Sequence, residues 1–254
     1  MSEELVKEHI HEYFLTASEC NAKQQMPFTM LAQRVIEVAT EHANILGVGY
    51  DEMIKDNLAW VLSRLSIEMN RMPKVNESYR LITWIENYNR HFSERNMEVQ
   101  AENGEVLGYI RTIWVAIDIT TRTPGDLSKL ASLAATVSDR PCPISKQGRM
   151  RPLTGISQQS DYRFRYSDID FNMHVNSVKY IELLMNQWPL EYHLAHDISR
   201  FEIAYLQESH FGNDVKVNIL QAENVADVEI AGENGVICRS RIAFCLKMTQ
   251  KVIK

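Results

Sequence analysis

Leu62-Ser63-Arg64-Leu65-Ser66-Ile67 returns later in the chain as Ile198-Ser199-Arg200-Phe201-Glu202-Ile203, a shared Ser-Arg followed by apolar residues at alternating positions. Alternation of this kind puts successive side chains on opposite faces of a strand. Each copy opens a β-like run that breaks at a turn and resumes, at Tyr79-Arg-Leu-Ile-Thr-Trp84-Ile in the first half and at Val215-Lys-Val-Asn-Ile-Leu in the second. Glu102-Asn103-Gly104 then matches Glu233-Asn234-Gly235. Asn-Gly between alternating apolar stretches signals a hairpin in which both residues take positive φ. Another strand-like run follows in each half, Tyr109-Ile-Arg-Thr-Ile-Trp114-Val-Ala-Ile and Val236 to Leu246.

A helix precedes these strands in both halves. From Phe28 to Leu46 the spacing places Leu31, Val35, Val38, Ala39 and Ile45 on one stripe, with Pro27 at the start and Gly47 at the stop. In the second half Val175, Val178, Ile181, Leu184 and Met185 form the stripe, and Pro189 lies beyond it. The repeating unit is therefore strand, long helix, then several antiparallel strands. A helix against a wide antiparallel sheet covers one sheet face, an α+β arrangement occurring twice. We place the first unit at 1–123 and the second at 160–254. The interval 124–159 reads as a linker, with a short helix from Asp126 to Val137 followed by the Pro- and Gly-rich run Asp139 to Gly155. Lys146, Arg149, Arg151, Arg163 and Arg165 make this region locally basic, either as a solvated linker or as a docking surface for an acidic partner.

With 254 residues, 45% of them hydrophobic and 24% charged, the composition is that of a soluble globular protein. A net charge of -6 argues against a general nucleic-acid binder. Cys20, Cys142, Cys238 and Cys245 show no CxxC spacing, so a reducing compartment, the cytoplasm, is expected. Met-Ser-Glu-Glu-Leu-Val-Lys-Glu lacks the apolar core of a signal peptide, and no apolar run approaches the roughly 20 residues that span a bilayer.

The chemistry concentrates in Asp168-Ile-Asp170-Phe-Asn172-Met-His174-Val-Asn176, which runs straight into the second helix. Carboxylate, amide and imidazole alternate there, next to the free N–H groups of a helix start. Taken alone, each residue also fits a structural role: His174 as a packing residue, Asp170 and Asn172 in a turn or cap. The first half has no comparable Asp/Asn/His run; aligning Arg64 with Arg200 sets Met72 opposite Glu208. A calcium loop is excluded because Met173 stands at its glycine position and Lys179 at its glutamate position. No His/Cys cluster with metal spacing and no glycine-rich phosphate loop are apparent, so neither a metal nor another cofactor is expected.

The stretch from Asp168 to Ile181 resembles the signature of the acyl-acyl-carrier-protein thioesterases, and Asn57-Leu-Ala-Trp60-Val-Leu-Ser-Arg64 resembles that family's first-half signature. Trp114-Val115 and Thr121-Arg122 add to the likeness, which covers nearly the whole chain. The resemblance implies a double hotdog fold. It implies hydrolysis of fatty acyl thioesters carried on the 4'-phosphopantetheine of acyl carrier protein, by a cytoplasmic enzyme acting as monomer or homodimer. It assigns catalysis to Asp170, Asn172, His174 and, in Tyr205-Leu-Gln-Glu208-Ser209, to Glu208. Asn176, Tyr180, Trp60 and Ser209 are expected to bind substrate. Trp60, Trp84, Met30, Met69 and Met97 are either core or lining for an acyl tail held by the first unit. Ser209 stands where the family pattern has cysteine, which argues against a covalent cysteine route. Glu208 is then the candidate base for water, Asn172 and His174 orient water or carbonyl, and the helix start holds the oxyanion. Asp170 either holds the loop or shares the water. An acyl-CoA thioesterase, a non-catalytic acyl-binding module and, more weakly, a hotdog dehydratase remain alternatives.

Overall fold

The computed structural model describes residues 6–127 and 134–246. The chain divides into two compact units, 1–148 and 149–254.

In the first unit β1 (Glu8–Phe14) leads through a 3-10 turn to α1 (Phe28–Ile45). The single helical turn α2 (Tyr50–Met53) follows, and then the long strands β2 (Leu58–Met69), β3 (Ser78–Tyr88), β4 (Phe92–Ala101) and β5 (Val106–Asp118). They pair antiparallel in the order β1-β3-β4-β5-β2. Pro27 occupies the helix N-cap and Gly47, at φ +69, ends the helix, as the spacing predicts. Leu31, Val35, Val38 and Ala39 are buried on the inner face of α1. Burying each of the larger ones contributes about 1.5–3 kcal/mol. Ile45 departs from the expected stripe and is exposed, because Leu46 packs on Val48 and Ile85 where the helix ends.

The second unit repeats this plan. β6 (Gln158–Arg163) leads to α3 (Ser177–Met185) and the short α4 (Leu190–Ala195). β7 (His196–Tyr205), β8 (Asp214–Ala222), β9 (Val225–Gly232) and β10 (Gly235–Leu246) follow. The antiparallel order is β6-β8-β9-β10-β7, the first unit's order strand for strand. Val215, Val217, Ile219, Val228, Ile230, Phe201 and Ile203 fill the buried face. The helix is half as long as α1, nine residues against 18. Both Asn-Gly turns form, but only Gly104 and Gly235 take positive φ. In neither turn does Asn share the positive-φ conformation; Asn103 instead accepts the N–H of Glu105 through its side chain.

The interval read as a linker is not uniformly solvated. Cys142 and Ile144 are buried against Trp84, and the Trp84 indole donates to the Arg140 carbonyl at 2.8 Å. Arg111 donates to the carbonyls of Ile144 and Cys142, both at 2.8 Å. Residues 137–147 thus form a strap over the sheet face opposite α1. That is why this unit continues to residue 148, whereas the sequence reading ended it at 123. Arg140 pairs with Glu8 and Glu98, and Lys146 pairs with Glu94 and Glu86. Arg163 lies 3.7 Å from Asp214, and all five residues of the basic set are exposed. Residues 128–133 of the expected short helix lie outside the described residues; Ala134–Thr136 form a 3-10 turn.

Candidate active site

Asp168 anchors the motif from below. It is buried and accepts the Tyr162 hydroxyl at 3.0 Å and the Arg165 N–H at 2.7 Å. Asp170 then folds the next residues into a tight turn. Its Oδ1 accepts the N–H groups of Asn172 at 2.8 Å and His174 at 3.2 Å. The backbone closes the turn, with Asp170 N donating to His174 O and Met173 N to Asp170 O. Met173 adopts φ +65, an uncommon conformation for a residue other than glycine. Oδ1 of the Asp170 carboxylate therefore holds the turn closed.

A second loop, between β7 and β8, meets this turn. Val175 N donates to Ser209 O at 2.8 Å, and the neighbouring Glu208 brings Oε2 to 3.5 Å from His174 Nε2. Gly212 N and Asn213 O bond to the backbone of Phe164, tying that loop to the end of β6. His174 is about one-quarter exposed and Glu208 two-fifths, so water reaches both. A carboxylate and an imidazole at this separation can both contact one water lying beside them, or close to a direct hydrogen bond. His210 was not foreseen. Its ring centroid lies 4.9 Å from that of His174, and its Nδ1 is 3.4 Å from Met173 O. Only its place two residues after Glu208 could have pointed to it.

The other expected residues divide. Asn172 is exposed at the turn tip. Asn176 caps α3, its side-chain oxygen accepting Val178 N at 2.9 Å. That oxygen is committed to the helix, and the Val178 N–H is no longer open to an oxyanion, which corrects part of the expected role of the helix start. Tyr180 is buried beneath the loop between Phe164 and Tyr205, with ring centroids at 5.5 and 5.9 Å. Burial pushes the Tyr180 hydroxyl well above its ordinary pKa, partly offset by neighbouring Ser209. Tyr180 is thus a neutral phenol. Ser209 is buried. Trp60 belongs to the first unit, where its indole donates to Val48 O at 2.9 Å. Burial also raises the Cys142 thiol and pushes Cys238 up to about 12, so neither is an ionised nucleophile.

The first unit contains the same turn with different side chains. Asn21 Oδ1 accepts the N–H groups of Lys23 at 2.9 Å and Gln25 at 3.4 Å. Asn21 N bonds Gln25 O, Gln24 N bonds Asn21 O, and Gln24 takes φ +56. Met26 N donates to Pro73 O at 2.9 Å, as Val175 N does to Ser209 O. Asn21, Lys23, Gln25 and Met72 thereby stand at the places of Asp170, Asn172, His174 and Glu208. The sequence reading was right that the Asp/Asn/His run is absent there, but it missed the turn.

Two sequence profiles match the chain, the Acyl-ACP thioesterase N-terminal domain over residues 7–129 and the Acyl-ACP thioesterase C-terminal domain over 153–244. Among solved structures, an acyl-ACP thioesterase from Bacteroides thetaiotaomicron is 33% identical with a TM-score of 0.88, covering 94% of this chain and 98% of that one. The 12:0-ACP thioesterase from Umbellularia californica is 19% identical at TM-score 0.83, over 94% and 98% of the two chains, a likeness of fold. The chloroplastic palmitoyl-acyl carrier protein thioesterase of Gossypium hirsutum is 26% identical over 77% of this chain and 51% of its own length. The chain spans about half the length of the curated relatives it matches. With both profiles in order along one chain and a solved relative matching end to end, this chain belongs to the acyl-ACP thioesterase family, and its two units are of the hotdog type.

Proposed function

We propose that the protein hydrolyses fatty acyl thioesters of acyl carrier protein, releasing free fatty acid and the carrier thiol. The observation that carries this reading is the approach of His174 Nε2 to Glu208 Oε2, 3.5 Å apart and open to water, above a turn held by Asp170. Water held against both groups from their open side gives its proton to Glu208, with His174 orienting it, and its oxygen attacks the thioester carbonyl carbon. The tetrahedral oxyanion is met by the side-chain amide of Asn172, because the N–H groups of Asn172, Met173 and His174 are already bonded to Asp170. The C–S bond then breaks and the proton passes to the sulfur. Asp170 positions Asn172 and His174 and does not take the proton.

The printed names of the relatives, acyl-ACP thioesterases and hydrolases, support the substrate class. The loops around the pair also carry exposed Phe171, Met173 and Phe211, apolar surface suited to an acyl substituent. The first unit is assigned the acyl tail, with Trp60 at the cluster of Val48, Ile85 and Tyr88. Each methylene buried there contributes about 0.8 kcal/mol. Four free cysteines, two of them buried, accord with the cytoplasm. No helix among the described residues is long and apolar enough to cross a membrane.

The test is hydrolysis of acyl-carrier-protein thioesters against matching acyl-CoA thioesters over a range of chain lengths, with His174→Ala alongside. Faster release from carrier protein, abolished in the variant, is the expected result. Preference for CoA would transfer the activity to that thiol, and binding without hydrolysis of either would overturn the enzymatic reading.

A further inference from the structure

Away from the candidate active site, the first unit gathers a second group of chemically competent side chains. His9 and His11 alternate along β1 and so project from the same face, toward α1. Glu41, on α1, meets both: its Oε2 lies 3.0 Å from His9 Nε2 and 2.7 Å from His11 Nδ1. One ligand atom from each of the three residues falls within 4.8 Å of the other two. Their side chains are between one-fifth and two-fifths exposed, open enough for an ion to enter.

We infer that His9 Nε2, His11 Nδ1 and the Glu41 carboxylate form a binding site for a divalent transition ion of the zinc class. Two imidazoles and one carboxylate are the donors such ions prefer, whereas calcium and magnesium take oxygen sets. In a tetrahedral zinc site, bonds of about 2.0–2.2 Å separate ligand atoms by about 3.4 Å. The two present nitrogen–oxygen gaps, 3.0 and 2.7 Å, would open by about 0.4 and about 0.7 Å to reach that spacing. Each imidazole then carries its proton on the other ring nitrogen, and the fourth position is left to water. Around the site, His11 stacks on Tyr13, with centroids 4.2 Å apart, and His9 on His42 at 5.9 Å. These ring contacts restrain both imidazoles. His42 is not a ligand, because its nitrogens are engaged by Val6 O and Arg95. The ion would clasp β1, the edge strand of its sheet, to α1.

The experiment uses the full chain, stripped with chelator and titrated with zinc alone against a chromophoric competitor. Cobalt is then substituted to read ligand geometry from its visible absorption, and melting is followed with and without zinc. The expected result is one zinc equivalent, a tetrahedral cobalt spectrum and a melting temperature raised by zinc. His11→Gln and Glu41→Gln should each weaken binding by more than about tenfold, the least that loss of even an outer partner costs. His174→Gln should keep the full equivalent, which separates this site from the other His/Glu pair. No uptake by the wild-type chain overturns the inference. So does uptake unchanged in both His11→Gln and Glu41→Gln, or lost in His174→Gln instead.

Discussion

The two turns that lead into α1 and α3 share one backbone and differ in almost every side chain. Both are closed by an Asx oxygen that accepts two N–H groups, both carry a non-glycine residue at positive φ, and both send an N–H across to the loop that follows the next strand. What differs is the reactive set: Asn21, Lys23, Gln25 and Met72 against Asp170, Asn172, His174 and Glu208. Where the second unit sets Glu208 beside an open loop, the first has Met72 next to Arg71, which pairs with Glu77 and Glu105 at 2.7 Å each. The turn is thus a property of the repeated fold, and the Asp/Asn/His run with its glutamate stands on one copy only.

Exchanging residues between the copies breaks this comparison most directly. His174→Gln and Glu208→Gln should each lower turnover by about 10²–10⁴-fold, the range supplied by a positioned acid or base. The circular dichroism spectrum should stay unchanged, since Gln25 already occupies the same turn. Near-normal turnover in either variant would remove that residue from the mechanism.

The next effect separates the helices. Only α1 is long enough to bury His42, which accepts from Arg95 at 2.7 Å; α3 ends before an equivalent position. Burial, and after it the Arg95 charge, hold His42 down to about 4 from an ordinary 6.5. The unfolded chain therefore binds this proton more readily than the folded one. Stability is fully present above about 6.5 and is lost as pH falls toward 4, by up to about 3 kcal/mol. Urea unfolding as a function of pH should show this slope, and a His42→Gln variant should flatten it.

Asp170 gives a smaller test with two arms. Asp170→Ala removes the acceptor of two N–H groups and should cost about 1–2 kcal/mol, read as roughly a tenfold loss of turnover. Asp170→Asn keeps the acceptor, as Asn21 does, and should retain most activity. If Asp170→Asn proves as inactive as Glu208→Gln, the carboxylate shares the proton and the turn-holding role is insufficient. The smallest change is Ser209→Ala. The Ser209 backbone carbonyl, which binds Val175 N, survives, so activity should remain within a few-fold of wild type. An inactive folded variant would restore a role for the hydroxyl.

Local rules made some features readable and tertiary packing hid the others. Pro27, Gly47 and the 3.6-residue spacing between them mark α1 to within a residue. Alternation finds the strands, since each sheet buries one side-chain set. The strap at 137–147 has no periodicity, and its burial depends on Trp84 and Arg111 some 30–60 residues earlier. The turn at Asn21 escaped because Lys23 and Gln25 suggest no chemistry; its geometry is written in backbone bonds and a single Asx oxygen. The pairing of His9 and His11 with Glu41 requires β1 against α1, which no local spacing expresses. The candidate set on the second turn was suggested by Asp170, Asn172 and His174 at alternate positions, while the approach of His174 to Glu208 needed the meeting of two loops.

The strap fixes where the chain can be recombined. A piece ending with β5 would leave the face around Trp84 and the Glu86–Arg111 pair bare, and would present it to water or to another molecule. A piece carried through residue 148 takes its own cover along. Chimaeras that trade second units between relatives should therefore be joined after Gly148, where one inheritance ends and the other begins.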